Sequence, residues 1–196
     1  MNPINSATLD QALFALSAFL DDAGADREDL VIVGGSALLA LGLVSRTTRD
    51  VDILAGVDPA KGLIDPRPMS DALKQAAQKV AKELLLPADW LNTGPADQIQ
   101  AGLPAGFVER LTQRKYGDKL NVYFPERFDL IHLKLFAVVD QGAGRHSRDL
   151  LALKPSEAEM LEAAKWVLSQ DVGEVFPKIV QTTLEALGYE GVATKL

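Results

Sequence analysis

The sequence predicts an α/β (α+β) fold, with a small mixed sheet flanked by helices and a helical C-terminal lobe. Short apolar runs of strand length, bounded by glycine or proline, occur at 30–33 and 120–124, which is typical of buried strands. Apolar residues at helical spacing recur through most of the chain after residue 127, which favours packed helices there. We therefore expect a core at 1–126 and a helical lobe at 127–196 packed on that core.

The composition excludes several classes of protein. With 196 residues, of which 47% are hydrophobic, the chain is long enough to bury a core and too apolar to be disordered. It contains no cysteine and two histidines, which excludes disulfides, thiolate zinc sites and a cysteine nucleophile. Any metal chemistry then depends on carboxylates, which favour magnesium, manganese or calcium. The net charge of −7 argues against a protein that coats nucleic acid.

No targeting or membrane-spanning segment is predicted. The N-terminal segment lacks a basic region, and Asp10 and Gln11 interrupt its apolar positions at helical intervals. The longest uncharged apolar run, 30–44, contains three glycines and is too short to span a bilayer. We expect a cytoplasmic protein with no membrane partner.

The first expected elements are a helix, a strand and a second helix. Thr8 is the expected N-cap of the first helix, because a glutamine follows three residues later as in a capping box. The run 30–33 is the expected buried strand, bounded by Gly34 and Gly35. Ser36 is expected to begin a short helix.

The middle of the chain supplies two further strands and one helix. Residues 50–54 alternate between polar and apolar, as a strand with two different faces does. Glycine and proline predict a loop at 56–68, and a helix follows at 70–86. The segment 88–104 has no clear period, and its most distinctive part is Trp-Leu-Asn; the last strand is expected at 120–124.

The C-terminal part is predicted to be helical throughout. Helices are expected at 127–139 and 148–153, with a glycine-containing turn between them. Ser156, followed three residues later by a glutamate, predicts the start of a helix at 157–169. A last helix is expected at 174–187.

The turn between the first strand and the second helix is a candidate phosphate-binding site. Gly34 and Gly35 would let the backbone approach a phosphate closely, and the helix that Ser36 begins would present free N–H groups to it. For Gly-Gly-Ser taken alone, a tight turn without any ligand is the favoured interpretation.

Two aspartates follow at a spacing that suggests a cation site. A spacer of thirteen residues separates Ser36 from Asp50, and Asp52 follows two positions later. Residues i and i+2 of a strand face the same side, roughly 7 Å apart. Two carboxylates so placed repel each other unless a cation lies between them, and a divalent ion there could bind a triphosphate. A solvated edge of the sheet is the alternative.

Together, these motifs resemble the core of the DNA polymerase β-like nucleotidyltransferase superfamily, and in particular the bacterial AbiEii-type toxin-like nucleotidyltransferases. The likeness covers about residues 30 to 168 and agrees in the order and spacing of its motifs. The matching segments are Gly34-Gly35-Ser36, Asp50-Val51-Asp52-Ile53, Lys134-Leu135-Phe136-Ala137 and Asp149-Leu150-Leu151-Ala152-Leu153.

The resemblance implies a Mg²⁺- or Mn²⁺-dependent enzyme that transfers a nucleoside monophosphate from an NTP to a hydroxyl. Asp50 and Asp52 would bind the metal, and Lys134 would contact the triphosphate, with Gly34, Gly35, Ser36 and Arg49 as further nucleotide-binding residues. Asp149 would complete the catalytic set. The acceptor stays open between tRNA, a protein and a small molecule, and a toxin–antitoxin role with a cognate antitoxin is the expectation that the AbiEii likeness adds.

Several of these residues have other interpretations. Lys134 lies among apolar helical neighbours and must either meet an anion or extend to solvent. Asp149 could act as a base or as a structural partner of Arg145 or Arg148. Arg49, like Arg46 near it, could contact phosphate or neutralise the two aspartates.

The sequence also departs from the pattern of the family. Relatives carry two acids in the last motif, and the first of them falls here on His146. A third carboxylate usually comes from a later strand, whereas the strand at 120–124 contains none, although Asp118, Glu126 and Asp129 flank it. A catalytically inactive nucleotide-binding or protein-interaction module of the same fold is therefore the alternative function.

Overall fold

A mixed sheet organises the N-terminal part of the chain in the computed structural model, which describes residues 2–196. Within these residues the sheet has six strands in the order β3-β2-β1-β6-β5, and β4 pairs with β2 off this path. The strands are β1 (Glu28–Val33), β2 (Val51–Asp58), β3 (Gly62–Ile64), β4 (Leu91–Asn92), β5 (Thr112–Lys115) and β6 (Leu120–Phe124). β1–β6 and β2–β4 are parallel and the other pairs antiparallel, so the predicted mixed sheet flanked by helices is confirmed.

The chain forms two compact units. The first comprises the described residues up to Leu103 together with Val108–Pro125, and the second comprises Pro104–Phe107 and Glu126–Leu196. The first unit contains the whole sheet with helices α1 (Ser6–Asp22), α2 (Gly34–Ala40), α3 (Asp71–Glu83) and α4 (Gln98–Ala101).

β1 is the central strand of the first unit. It lies between β2 and β6, and its last four residues, 30–33, are buried. A strand paired on both sides needs apolar side chains on both faces, which explains why the sequence shows a continuous apolar run instead of an alternation.

The first helix begins earlier than predicted. Asn5, not Thr8, is the N-cap: its side chain accepts a hydrogen bond from the Thr8 N–H at 2.9 Å. Asparagine is as good an N-cap as threonine, and the preceding Ile4 is fully buried and bridged to Thr48. Those contacts fix the chain one turn earlier than the glutamine pattern indicated.

Three strands, β3, β4 and β5, were not predicted. The expected loop at 56–68 contains the end of β2 and all of β3, because the Asp58 side chain accepts hydrogen bonds from the Ala60 and Lys61 N–H groups and so turns the chain into a hairpin. β5 is an exposed edge strand of polar residues, which gives no hydrophobic pattern. Its Arg114 donates to the Ala40 carbonyl at 2.7 Å, at the end of α2.

The second unit is helical, as expected for the C-terminal part. Its helices are α5 (Arg127–Gln141), α6 (Arg145–Ala152), α7 (Glu157–Leu168), α8 (Phe176–Ala186) and α9 (Glu190–Ala193). The capping box predicted at Ser156 is present, with Glu159 as its acid. Arg127 joins three elements of this unit, since it pairs with Glu159 and donates to the Leu153 carbonyl. Among residues 2–196, no helix is long and apolar enough to cross a membrane.

Candidate functional site

The two candidate metal-binding aspartates lie at the start of β2. Asp52 is the second residue of the strand, and Asp50 is the last residue before it. Val51 and Ile53 are fully buried, so the alternation predicted for this segment directs the side chain of Asp52 away from them. Both aspartates are partly exposed.

The carboxylate of Asp52 is enclosed from two sides. On one side Asn92 Nδ2 donates to its Oδ1 at 3.1 Å. On the other side lies Gly34, where an added Cβ would come within 2.3 Å of Oδ2. The register explains this second contact, because Val33, at the end of β1, is paired with Asp52.

The Gly34-Gly35 turn is in close contact with neighbouring side chains. Gly34 has a φ of +74°, a conformation that favours glycine. A Cβ at Gly35 would lie 2.9 Å from both Arg46 Nη2 and Thr48 Oγ1. The groups that lie close to the backbone of the two glycines are thus the side chains of Asp52, Thr48 and Arg46, and the predicted approach to a phosphate stays a prediction.

Ser36 lies inside this turn. The helix α2 begins at Gly34, two residues before the start expected at Ser36. Ser36 is fully buried, and its hydroxyl donates to the Val33 carbonyl at 3.0 Å. The serine thereby closes the junction between β1 and α2.

Asp50 is held by the loop that precedes it. Thr48 Oγ1 donates to Asp50 Oδ1 at 3.2 Å. Thr48 is itself buried and exchanges two backbone hydrogen bonds of 2.8 Å with Ile4. The N-terminal segment thus anchors the loop next to the aspartates, while Arg49 is exposed and Arg46 donates to the Thr47 carbonyl at 2.7 Å.

The donors around Asp52 suit a hard cation. Carboxylate and amide oxygens are ligands of Mg²⁺, which is usually held by one or two carboxylates together with water and substrate phosphates. Asp50 and Asp52 fit that mode. Among residues 2–196, no group of three or more His, Cys, Asp or Glu side chains could hold a metal ion.

Asn92 was missed by the sequence reasoning. β4 pairs in parallel with β2, with Asn92 beside Asp52, and Trp90 fixes this short strand: it is fully buried and its Nε1 donates to the Ala77 carbonyl at 2.9 Å. A strand of two residues is too short for any period, so the Trp-Leu-Asn sequence was the one available signal.

The strand expected to carry a third carboxylate lies elsewhere in the sheet. β6 pairs with β1 and β5, so β1 separates it from β2. Of the three flanking acids, Asp118 and Glu126 are exposed, and Asp129 is fully buried in α5. The strand that does lie beside Asp52 is β4, and it contributes an amide.

Lys134 and Asp149 meet in the second unit. Lys134 on α5 and Asp149 on α6 form an ion pair of 2.8 Å, with side chains 6% and 1% exposed. Lys134 therefore meets an anion, Asp149, inside the second unit. His146, at the position of the missing acid, contacts Gln141 Oε1 through Nε2 at 3.1 Å.

The sequence matches the model of a known family. The sequence model of the family described as "Nucleotidyltransferase of unknown function (DUF6036)" matches residues 11–149. The chain belongs to this family. The match to DUF6036 extends from α1 to Asp149 and so includes Gly34, Asp50, Asp52 and Lys134. Among the curated proteins and the solved structures that were compared, none matches the chain.

Proposed function

We propose that this DUF6036 protein transfers a nucleoside monophosphate from an NTP to a hydroxyl group. The observation that carries the proposal is the placement of the Asp52 carboxylate against the Gly34 turn, with Asp50 two residues earlier. In a nucleotidyltransferase family this brings a cation ligand and a candidate phosphate-binding turn into direct contact. The cofactor proposed is Mg²⁺, or Mn²⁺, and the substrate is the NTP.

In this proposal each group of residues has a separate task. Asp50 and Asp52 hold the cation, which when bound neutralises charge on the triphosphate. Gly34 and Gly35, at the start of α2, would contact the nucleotide phosphates through the backbone, and Arg49, exposed beside Asp50, would add positive charge. The acceptor oxygen attacks the α-phosphorus, the bond to the β-phosphate oxygen breaks, and pyrophosphate leaves while the acceptor proton passes to a base.

Lys134 and Asp149 keep the roles that the family resemblance implies. Lys134 would contact the triphosphate and Asp149 would accept the proton of the acceptor hydroxyl. Both roles require their 2.8 Å ion pair to open during the reaction, because a lysine and a carboxylate that neutralise each other offer neither charge to a substrate.

The acceptor we propose is a macromolecule, either tRNA or a protein, in a toxin–antitoxin system of the AbiEii type. The support for this is the Lys-Leu-x-Ala and Asp-Leu-x-x-Leu segments that follow the aspartate pair in the same order as in those toxins. A cognate antitoxin would be the partner, and the cytoplasm the compartment.

A second function is favoured by Asn92. The strand beside Asp52 contributes an amide, whereas two-metal transfer normally uses a further carboxylate. A nucleotide-binding or protein-interaction module without transfer activity would not need that carboxylate.

A transfer assay distinguishes the two functions. The protein is incubated with Mg²⁺ and each NTP radiolabelled at the α-phosphate, with total tRNA or whole lysate as acceptor. We expect labelled product with the wild type, and none with Asp50→Ala or Asp52→Ala. Asp58→Ala is the matched control, since Asp58 lies at the opposite end of the same strand and its loss should leave transfer unchanged.

Each outcome has one meaning. Transfer that persists in Asp52→Ala contradicts the proposed site. No transfer combined with a rise in melting temperature on adding Mg-NTP supports the inactive module. If Mg-NTP gives neither transfer nor thermal stabilisation, the enzyme and the nucleotide-binding module are both overturned.

A further inference from the structure

We propose that Asn92 is a positioning residue, which holds the carboxylate of Asp52 in the orientation that binds the divalent cation. This inference rests on the proposed function and extends it to a residue on β4. Asn92 would not bind substrate. It would act through Asp52 alone.

The amide of Asn92 is fixed at both of its ends. Its Oδ1 accepts a hydrogen bond from the Gly94 N–H at 2.8 Å, and its Nδ2 donates to Asp52 Oδ1 at 3.1 Å. The first bond decides the orientation of the amide, because the oxygen must face Gly94 and the NH₂ group must then face Asp52. The donor is thus preset by the backbone of the following turn.

β4 itself is held in place by other contacts. Its pairing places Leu91 beside Val51 and Asn92 beside Asp52, and the Val51 N–H donates to the Trp90 carbonyl at 2.5 Å. Trp90, fully buried, anchors this strand against α3. Asn92 is therefore presented to Asp52 by a rigid element, which is what accurate positioning requires.

The position of Asp52 makes such a restraint useful. One of its oxygens lies against Gly34 and the other accepts from Asn92, so the amide restrains the carboxylate on the side opposite Gly34. Partners that orient a metal ligand from outside the coordination sphere change metal affinity by about 10–100-fold when removed.

The chain offers a matched control for this contact. Asn121 on β6 is buried and donates to the Asp29 carboxylate at 2.7 Å, in the same unit as Asn92 but paired with a different aspartate. Asn92→Ala and Asn121→Ala each remove one amide–carboxylate hydrogen bond. Both should lower the melting temperature, whereas Asn92→Ala alone should affect the cation.

The test measures the dissociation constant for Mn²⁺, without nucleotide, by electron paramagnetic resonance. Wild type, Asn92→Ala and Asn121→Ala are compared at a temperature well below the lowest melting point, so that every variant is folded. We expect the dissociation constant of Asn92→Ala to rise about tenfold or more and that of Asn121→Ala to stay at the wild-type value. Gly94→Ala serves if Asn92→Ala fails to fold, since a Cβ there would lie 3.0 Å from Asn92 Oδ1 and should displace the amide and weaken Mn²⁺ binding.

The failures can be told apart. If wild type and Asn92→Ala bind Mn²⁺ equally while both asparagine variants lose thermal stability, Asn92 is structural and the positioning role is wrong, but the proposed function stands. If the wild type binds neither Mn²⁺ nor Mg-NTP, the proposed function and this inference fall together.

Discussion

Replacing Gly34 by alanine tests the contact on which the site depends. The substitution adds a Cβ 2.3 Å from Asp52 Oδ2, about 1 Å closer than the 3.4 Å at which ordinary contact begins. It also places alanine at a φ of +74°. The carboxylate must move, and its hydrogen bond to Asn92 is lost or distorted.

Gly42→Ala separates these two effects. Gly42 has a φ of +68° and nothing within 4 Å of an added Cβ, and it ends α2 with the Gly42 N–H bonded to the Leu39 carbonyl and Leu43 N–H to Leu38. It therefore incurs the backbone cost alone, about 1–2 kcal/mol. Gly34→Ala incurs a similar cost plus the overpacking against Asp52, about 1–3 kcal/mol more.

The assay is urea unfolding of both variants, followed by Mg-NTP titration of each. We expect the free energy of unfolding of Gly34→Ala to fall by about 1–3 kcal/mol more than that of Gly42→Ala, and only Gly34→Ala to weaken Mg-NTP binding. Equal losses of stability and unchanged binding in both variants would refute the close approach of Gly34 to Asp52.

Three further predictions concern ionisable side chains. Lys134→Met should lower the free energy of unfolding in urea by about 3–5 kcal/mol, because it removes the ion-pair partner of the buried Asp149 side chain. Adding Asp149→Leu should recover most of that loss, and no recovery would contradict the buried pair. The hydrogen bond from Arg127 lowers the pKa of Glu159 to about 2 from 4.5, so this stabilisation is complete above pH 4.5 and is lost as the pH falls towards 2. After allowance for solvent screening, this stabilisation amounts to about 1–2 kcal/mol. The melting temperature of Glu159→Gln should therefore fall less steeply with acid than that of the wild type, and an identical fall in both would contradict the stabilising role of the Arg127–Glu159 pair. Burial raises the pKa of Tyr116 to about 12 from 10.0, so stability should fall as the pH rises from 10 to 12, and an ultraviolet titration should lack this late transition in Tyr116→Phe.

The fold was predictable where the sequence carries a long-range pattern. The continuous apolar run of β1 and the capping box at Ser156 are both large enough to identify an element. β3 and β4 are only three and two residues long, and β5 is polar and exposed. Their formation depends on pairing with neighbouring strands, which no local sequence pattern encodes. Likewise, Thr8 is of a residue type that is common at N-caps, but the long-range bridge between Ile4 and Thr48 fixes the start of the helix so that Asn5 is the N-cap.

The candidate site was likewise predictable only in part. Gly34 and Asp52 could be assigned to neighbouring elements because one short helix joins them in sequence. Asn92 lies forty residues further on and reaches Asp52 through a two-residue strand, which only the folded sheet reveals. The sequence did not identify the partner of Lys134 for the same reason. A lysine among apolar neighbours predicts an anion, but only the folded structure shows that this anion is Asp149.

The central claim is that Asp50 and Asp52 bind a divalent cation that carries an NTP. Isothermal titration calorimetry of Mg-NTP against the wild type and against the double variant Asp50→Ala/Asp52→Ala tests it most directly, with the same NTP in EDTA as a second control. We predict saturable binding by the wild type that requires Mg²⁺ and is absent from the double variant. Equal binding by both proteins, or binding by the wild type that is the same in EDTA, would contradict the claim.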